Sequence, residues 1–180
     1  MTLTKDNVVD IIPMLTPAWS ISFEINPYST IEGWSNVIHF TTGGNAGTYG
    51  FRIPAVFVHR RSSRLHICSA INGNNNACFN SNPLPWNEYT RVEISQVQQD
   101  NTTSFLYTIS IGGEQVYQVV NTDARFFADV KVYKADKWYN PAPAFVTDFV
   151  YRNLPSGKLL LMSQVTIAIL LFFLCVLNQK

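Results

Sequence analysis

Apolar and polar residues alternate with a period of two in segment after segment of this chain, from residue 18 to residue 154. Within Trp19–Asn26 every second residue is apolar, and the residues between are serine, glutamate or asparagine. Successive side chains of a β-strand point to opposite faces of the sheet, so this pattern predicts a strand with one buried face. A chain built from such segments has to pair its strands and bury one face of each sheet.

Turn-forming residues separate ten segments that we predict to be strands. They are Trp19–Asn26, Trp34–Thr41, Phe51–His59, Leu65–Ile71, Ala77–Asn80, Thr90–Val97, Phe105–Ile111, Gln115–Val120, Val130–Tyr133 and Phe145–Asn153. Before residue 155 the pattern leaves room for no helix, and only for a short turn near Asp6–Ile11. We therefore predict an all-β, two-sheet antiparallel sandwich over residues 18–154, preceded by a lead segment at residues 1–17.

Two cysteines flank a strong hairpin signal. Asn72 and Gly73 both tolerate positive φ, which two-residue hairpin turns require. In a hairpin centred on Gly73, Cys68 and Cys78 lie directly opposite each other, at a separation suited to a disulfide. Two free cysteines in a cytosolic hairpin are the alternative. Two cysteines without a nearby second pair do not close a tetrahedral metal site.

The C-terminal segment, residues 155–180, is apolar and almost uncharged. Leu159–Leu177 contains no charged residue and lies between Lys158 and Lys180. As a helix it covers roughly 28 Å, close to the hydrocarbon core of a bilayer. We predict a membrane helix here, either a retained span or the cleaved signal for a lipid anchor.

The compartment is predicted from weaker signals. Asn101 begins a glycosylation triplet in a polar stretch, which together with a Cys68–Cys78 disulfide favours the cell exterior. Met1–Ser20 lacks the apolar stretch of a secretory signal. The chain is then either a fragment of a longer precursor, or it inserts into the membrane from the cytosol by its tail.

Composition and motifs limit the classes of function. Only 14% of the residues are charged and the net charge is +1, which argues against a nucleic-acid partner and against a disordered chain. A retaining glycosidase needs two carboxylates about 5 Å apart, but Glu88 and Glu93 are separated by an odd number of positions and face opposite sides of a strand. We predict no catalytic residues.

The order of these features resembles the concanavalin A-like lectin and laminin-G-like jelly-roll superfamily. The segments that carry the resemblance are Trp19–Ile25, Gly33–Phe40, Arg64–Ile67, Trp86–Ile94, Tyr107–Glu114 and Val130–Asp136. The resemblance implies a jelly roll whose first and last predicted strands lie side by side, with loops clustered at the rims. Members of this superfamily bind sugars, bind proteins or hydrolyse glycans, so the resemblance does not select a ligand.

The loop after the strand Val130–Tyr133 has the composition of a binding site. Trp138 and Tyr139 can stack on a sugar ring or anchor a protein contact, while Asp136, Lys137 and Asn140 supply an acceptor, a cation and an amide. The competing interpretation places the two aromatic rings at the end of the core. Calcium is a further possible ligand, because loop oxygens are also available at Asp136, Asp123, Asn72 and Asn74–Asn76.

These observations favour a membrane-tethered, extracellular recognition module that binds a glycan or a protein surface. The first alternative is a tail-anchored adaptor whose sandwich faces the cytosol. A glycan hydrolase is the third hypothesis. The three hypotheses differ in the compartment that the sandwich faces and in whether the sandwich binds a ligand or hydrolyses it. The compartment and the ligand are therefore separate questions.

Overall fold

The structure is a computed structural model that describes residues 2–100 and 102–154. The strands of this part are β1 (Val8–Leu15), β2 (Trp19–Pro27), β3 (Ser35–Thr41), β4 (Ala55–Val58), β5 (Arg64–Ile71), β6 (Asn74–Pro83), β7 (Thr90–Gln98), β8 (Phe105–Ile111), β9 (Glu114–Asn121), β10 (Phe127–Lys134), β11 (Asn140–Pro141) and β12 (Ala144–Asn153). The predicted glycosylation site Asn101 and the predicted membrane segment lie outside the described residues. Among the described residues, no helix is long and apolar enough to cross a membrane.

The strands form two sheets. Sheet I has the order β1-β10-β3-β4-β5-β6, and the short strand β11 adds to it by pairing in parallel with β3. Sheet II has the order β12-β2-β7-β8-β9. All other pairs are antiparallel. The prediction of an all-β sandwich is confirmed, and β2 and β12, the first and last predicted strands, pair directly.

Alternate residues of the two sheets meet in one core. Sheet II contributes Trp19, Phe23, Ile25, Val92, Ile94, Tyr107 and Ile109, and sheet I contributes Ile38, Phe40, Val56, Leu65, Ile67, Val130 and Val132. The Tyr107 hydroxyl reaches across the core to Ser69 Oγ at 2.8 Å. Burial raises the pKa of Tyr107, so the hydroxyl stays protonated in this partnership.

One strand was not predicted. The sequence suggested at most a turn at Asp6–Ile11, whereas Val8–Leu15 forms β1 and pairs with β10. Its apolar residues lie next to one another instead of alternating, and Pro13 interrupts them. Proline is tolerated here because β1 is an edge strand and one side of its backbone has no strand to pair with.

The cysteine hairpin has the predicted register. Asn72 and Gly73 have φ values of 51° and 75°, and the turn places Cys68 opposite Cys78 with a Cα–Cα distance of 4.1 Å. The two residues form a disulfide between β5 and β6, which confirms the predicted bridge.

Replacing Cys68 with serine should lower the free energy of unfolding by about 2–3 kcal/mol, because the bridge closes a short loop in the unfolded chain. Urea denaturation of the variant and of the wild type measures this loss, and reduction of the wild type should reproduce it. Thiol labelling of the unfolded protein should modify neither Cys68 nor Cys78 before reduction and both of them after reduction. Labelling of both residues before reduction would contradict the bridge.

Candidate functional site

The outer face of sheet I carries aromatic side chains at its centre. Val56 and Val58 belong to the core, so Phe57 between them points outwards. Leu65 and Ile67 are likewise core residues, and His66 between them is the direct partner of Phe57. Strand alternation therefore places a phenylalanine and a histidine side by side on the face that lies away from the core.

A pocket of about 240 Å³ lies over this pair and is lined by Trp34, Arg52, Phe57, His66 and Tyr139. Trp34 directly precedes β3, Arg52 lies in the loop between β3 and β4, and Tyr139 directly precedes β11. Pockets that enclose a drug-sized ligand measure about 300–1,000 Å³. This volume therefore suits a single ring with its substituents.

The aromatic rings line the pocket on two sides. The Trp34 ring lies between two imidazoles, with ring centroids 4.5 Å from His59 and 4.8 Å from His66. The Tyr139 ring meets Phe57 edge-on at 5.0 Å. Phe57 and His66 lie on paired strands, so these two residues of the lining have little freedom to move apart.

Arg52 is the cation of the pocket. The residue is only 7% exposed, and its guanidinium carbon lies 4.8 Å from the centroid of the Phe57 ring. Nε donates to the Asn45 carbonyl at 2.9 Å, Nη2 donates to Asn45 Oδ1 at 3.3 Å, and Nη1 donates to Asn76 Oδ1 at 2.7 Å. The acceptors are neutral, so they fix the guanidinium in place without neutralising its charge.

His66 adds a polar edge to the same pocket. Its Nδ1 lies 2.7 Å from Asn80 Oδ1, and its Nε2 lies 3.1 Å from Cys68 Sγ. Burial lowers the pKa of His66, and the positive charge of Arg52 lowers it further. The imidazole is therefore neutral at neutral pH and donates from Nδ1.

His66, Cys68 and Cys78 have ligand atoms within 4.8 Å of one another, which is the spacing of a metal site. The two sulfur atoms are bonded to each other, so neither is available as a thiolate. In this oxidation state the group is a disulfide beside an imidazole.

The predicted binding loop, Asp136–Asn140, crosses the outer face of sheet I. Asp136 is fully buried: Oδ2 lies 2.8 Å from His39 Nδ1, and Oδ1 accepts from the backbone N–H groups of Trp138 and Tyr139 at 2.9 Å each. His39 Nε2 in turn lies 2.6 Å from the Phe51 carbonyl. Asp136 thus holds the loop in place and faces no solvent.

The other four residues of the predicted site lie in different surroundings. Trp138 packs against His39 at 5.3 Å and against Tyr133 at 5.9 Å, and the Lys137 ammonium lies 5.2 Å from its ring. Tyr139 lines the pocket and accepts a hydrogen bond from Asn45 Nδ2 at 3.2 Å. Asn140 is exposed and pairs with β3. The structure thus brings only Tyr139 of this group into the pocket.

The loop oxygens considered for calcium already have partners. Both carboxylate oxygens of Asp123 accept from Arg125, at 2.7 and 2.6 Å. Asn72 Oδ1 accepts from the Thr122 backbone at 2.8 Å, and Asn76 Oδ1 accepts from Arg52. Calcium binding stays a prediction.

A second, larger cleft of about 490 Å³ opens between the edge strands β6 and β9. Its lining includes Phe79, Asn80, Leu84, Ile111 and Glu114. The only charged residue of that lining, Glu114, is exposed to solvent. A buried charge distinguishes the smaller pocket from this cleft.

Sequence reasoning missed four residues of the pocket: Trp34, Arg52, Phe57 and His66. Trp34, Phe57 and His66 were assigned to strands without an orientation, and Arg52 was placed in the strand Phe51–His59, which begins only at Ala55. The available signal was the alternation of side chains along a strand. Phe57 and His66 each lie between two aliphatic residues, so they point to the face opposite to those residues. Nothing in the sequence brings Tyr139 to the same place.

No family model and no curated protein matches this chain. Among solved structures, a native heptameric SAP-like pentraxin from Limulus polyphemus is similar, with a TM-score of 0.54 and 9% identity over 84% of this chain and 71% of the pentraxin. Also similar are the botulinum neurotoxin type G receptor-binding domain (0.49, 13% identity, 83% and 43%) and sheep galectin-11 (0.45, 11%, 81% and 98%). The pentraxin match shows that this chain has the jelly-roll fold, which confirms the predicted superfamily resemblance at the level of fold.

Replacing Asp136 with asparagine should lower the free energy of unfolding by about 3–5 kcal/mol, because it leaves His39 buried without its carboxylate partner. Asp129→Asn is the matched control: Asp129 is exposed and has a φ of 51°, which asparagine tolerates, so its effect should stay within about 0.5 kcal/mol. Urea denaturation measures both variants. Equal, small effects would show that Asp136 does not hold the loop.

Proposed function

We propose that this protein is a non-catalytic recognition module that binds a glycan in the pocket between Trp34 and Tyr139. The observation that carries the proposal is the combination of aromatic rings with fixed polar groups in a pocket sized for one ring. Aromatic faces pack on the apolar side of a sugar, while Arg52 and His66 meet its oxygen atoms. The jelly-roll fold supports the proposal only in that it presents rigid strands with an open outer face.

Recognition without catalysis is supported by the surroundings of the one histidine–carboxylate pair that the described residues bring together. His39 and Asp136 are both fully buried, and both ring nitrogens of His39 are engaged by Asp136 and the Phe51 carbonyl. A general base has to reach the proton that it removes. This pair therefore supports the loop, and the lining of the pocket contains no carboxylate of the kind that a retaining glycosidase uses.

We further propose an extracellular, membrane-tethered location. The Cys68–Cys78 bridge supports an oxidising compartment, since cytosolic thiols are kept reduced. The sequence of Leu159–Leu177 supports a membrane tether, and the triplet at Asn101 supports glycosylation. The alternative, a tail-anchored adaptor facing the cytosol, predicts two reduced cysteines instead.

Replacing Trp34 with alanine should weaken glycan binding about 10-fold or more, because it removes one wall of the pocket. A glycan panel probed with the purified sandwich identifies the ligand, and calorimetry measures the change in affinity. Trp86→Ala is the matched control, since Trp86 is 42% exposed and does not line the pocket. A Trp34→Ala variant that unfolds at the wild-type temperature and binds equally well would refute the pocket as the site.

Deleting Leu159–Lys180 should release the protein from the membrane fraction without changing its unfolding midpoint, because in the proposed arrangement this segment is a membrane tether separate from the sandwich. Cell fractionation and thermal unfolding measure the two effects. Release of the intact chain by a phospholipase that cuts lipid anchors would identify a cleaved signal, and failure of release would identify a retained span. A misfolded truncated product would contradict the tether.

A further inference from the structure

The charge of Arg52 has no opposite charge beside it. Across the residues that the structure describes, every ion pair joins other side chains, and Arg52 takes part in none. Burying a guanidinium without a carboxylate is unfavourable, and proteins normally compensate such a charge with a partner. Arg52 is nevertheless almost completely buried and lines an open pocket.

The guanidinium also has donors to spare. It carries five N–H groups, of which the bonds to Asn45 and Asn76 use one each on Nε, Nη1 and Nη2. One N–H on Nη1 and one on Nη2 are left. The three existing bonds fix the orientation of the group, so a ligand meets a cation that is already in position.

We propose that the glycan bound in this pocket is acidic, and that a carboxylate or sulfate group of the sugar pairs with Arg52. This inference rests on the proposed function and adds the chemical class of the ligand. The anion supplies the opposite charge that the described residues lack, and charge-assisted bonds to a guanidinium are stronger than bonds between neutral groups. The rings of Trp34 and Tyr139 contact the rest of the sugar.

Binding of an anion should also change the protonation of His66, which lines the same pocket as Arg52. Burial is the main cause of the lowered pKa of His66, and the charge of Arg52 lowers this pKa further. An anion between them offsets that charge, so binding should raise the pKa of His66 and take up a proton as the pH falls. Among the described residues, His59 also lowers the pKa of His66, and the rings of both histidines contact Trp34.

The test compares each acidic sugar with a neutral relative: glucuronic acid with its methyl ester, and glucose 6-sulfate with glucose. Ligand-observed NMR and calorimetry should show binding of the acidic member about 10- to 100-fold tighter than its neutral partner. The carboxylate and sulfate arms tell which anion the pocket prefers. Arg52→Gln should abolish the difference, whereas Arg60→Gln, which removes an exposed cation, should preserve it.

The result expected for His66 needs no variant. Its imidazole NMR signal should titrate at higher pH when the acidic sugar is bound than when the neutral sugar is bound. If Arg52→Gln does not fold, this titration decides the proposal alone.

Three results would overturn the inference in distinguishable ways. Equal affinity for acidic and neutral sugars would remove the charge preference and leave the proposed function intact. If Arg52→Gln and Arg60→Gln reduce the preference for the acidic sugar equally, the preference would come from the overall positive charge of the surface and not from Arg52. The absence of binding by every sugar, on a broad panel as well, would remove the proposed function together with the inference.

Discussion

The Asp136 carboxylate is the contact on which the outer face of sheet I depends, because through His39 it links three parts of the chain. One oxygen pairs with His39 of β3, and the other accepts from the backbone of Trp138 and Tyr139. The far nitrogen of His39 meets the Phe51 carbonyl, next to Arg52. A single imidazole thus links the loop that carries Tyr139 to the loop that carries Arg52, and the two walls of the pocket are fixed relative to each other.

A buried pair of this kind sets geometry more than it adds stability. Removing two polar groups from water costs about as much as their attraction returns, so apolar side chains of similar volume would stabilise the fold equally well. Apolar contacts are not directional, however, and would not fix the direction of the Tyr139 ring. Hydrogen bonds in a low-dielectric interior are both strong and directional. The His39–Asp136 pair therefore fixes the conformation of the loop more than it stabilises the fold.

The features that could be predicted are those that depend only on residues close together in the sequence. The Asn72-Gly73 turn defines the register of its hairpin, so the Cys68–Cys78 bridge followed from spacing, and strands with strict alternation such as β2 and β7 were located closely. β1 was missed because its apolar residues are contiguous and include Pro13. The pocket was missed for a different reason: Arg52 and Tyr139 are far apart in sequence. The pairing of β11 with β3 and the contact between Asp136 and His39 together bring the Tyr139 loop over Phe57.

The proposed selectivity for an acidic sugar follows from the different roles of Arg52 and His66. The cation is fixed by neutral acceptors, and burial together with the charge of this cation lowers the pKa of the His66 imidazole. A neutral ligand that displaces water from the pocket leaves the guanidinium with fewer favourable contacts than it had in water, whereas an anion replaces those contacts. Discrimination therefore arises as much from the penalty on the wrong ligand as from attraction to the right one. Several exposed cations would bind anions with little dependence on the shape of the ligand. A single buried cation surrounded by aromatic rings instead requires that the anionic group and the ring of the proposed sugar ligand are both correctly placed.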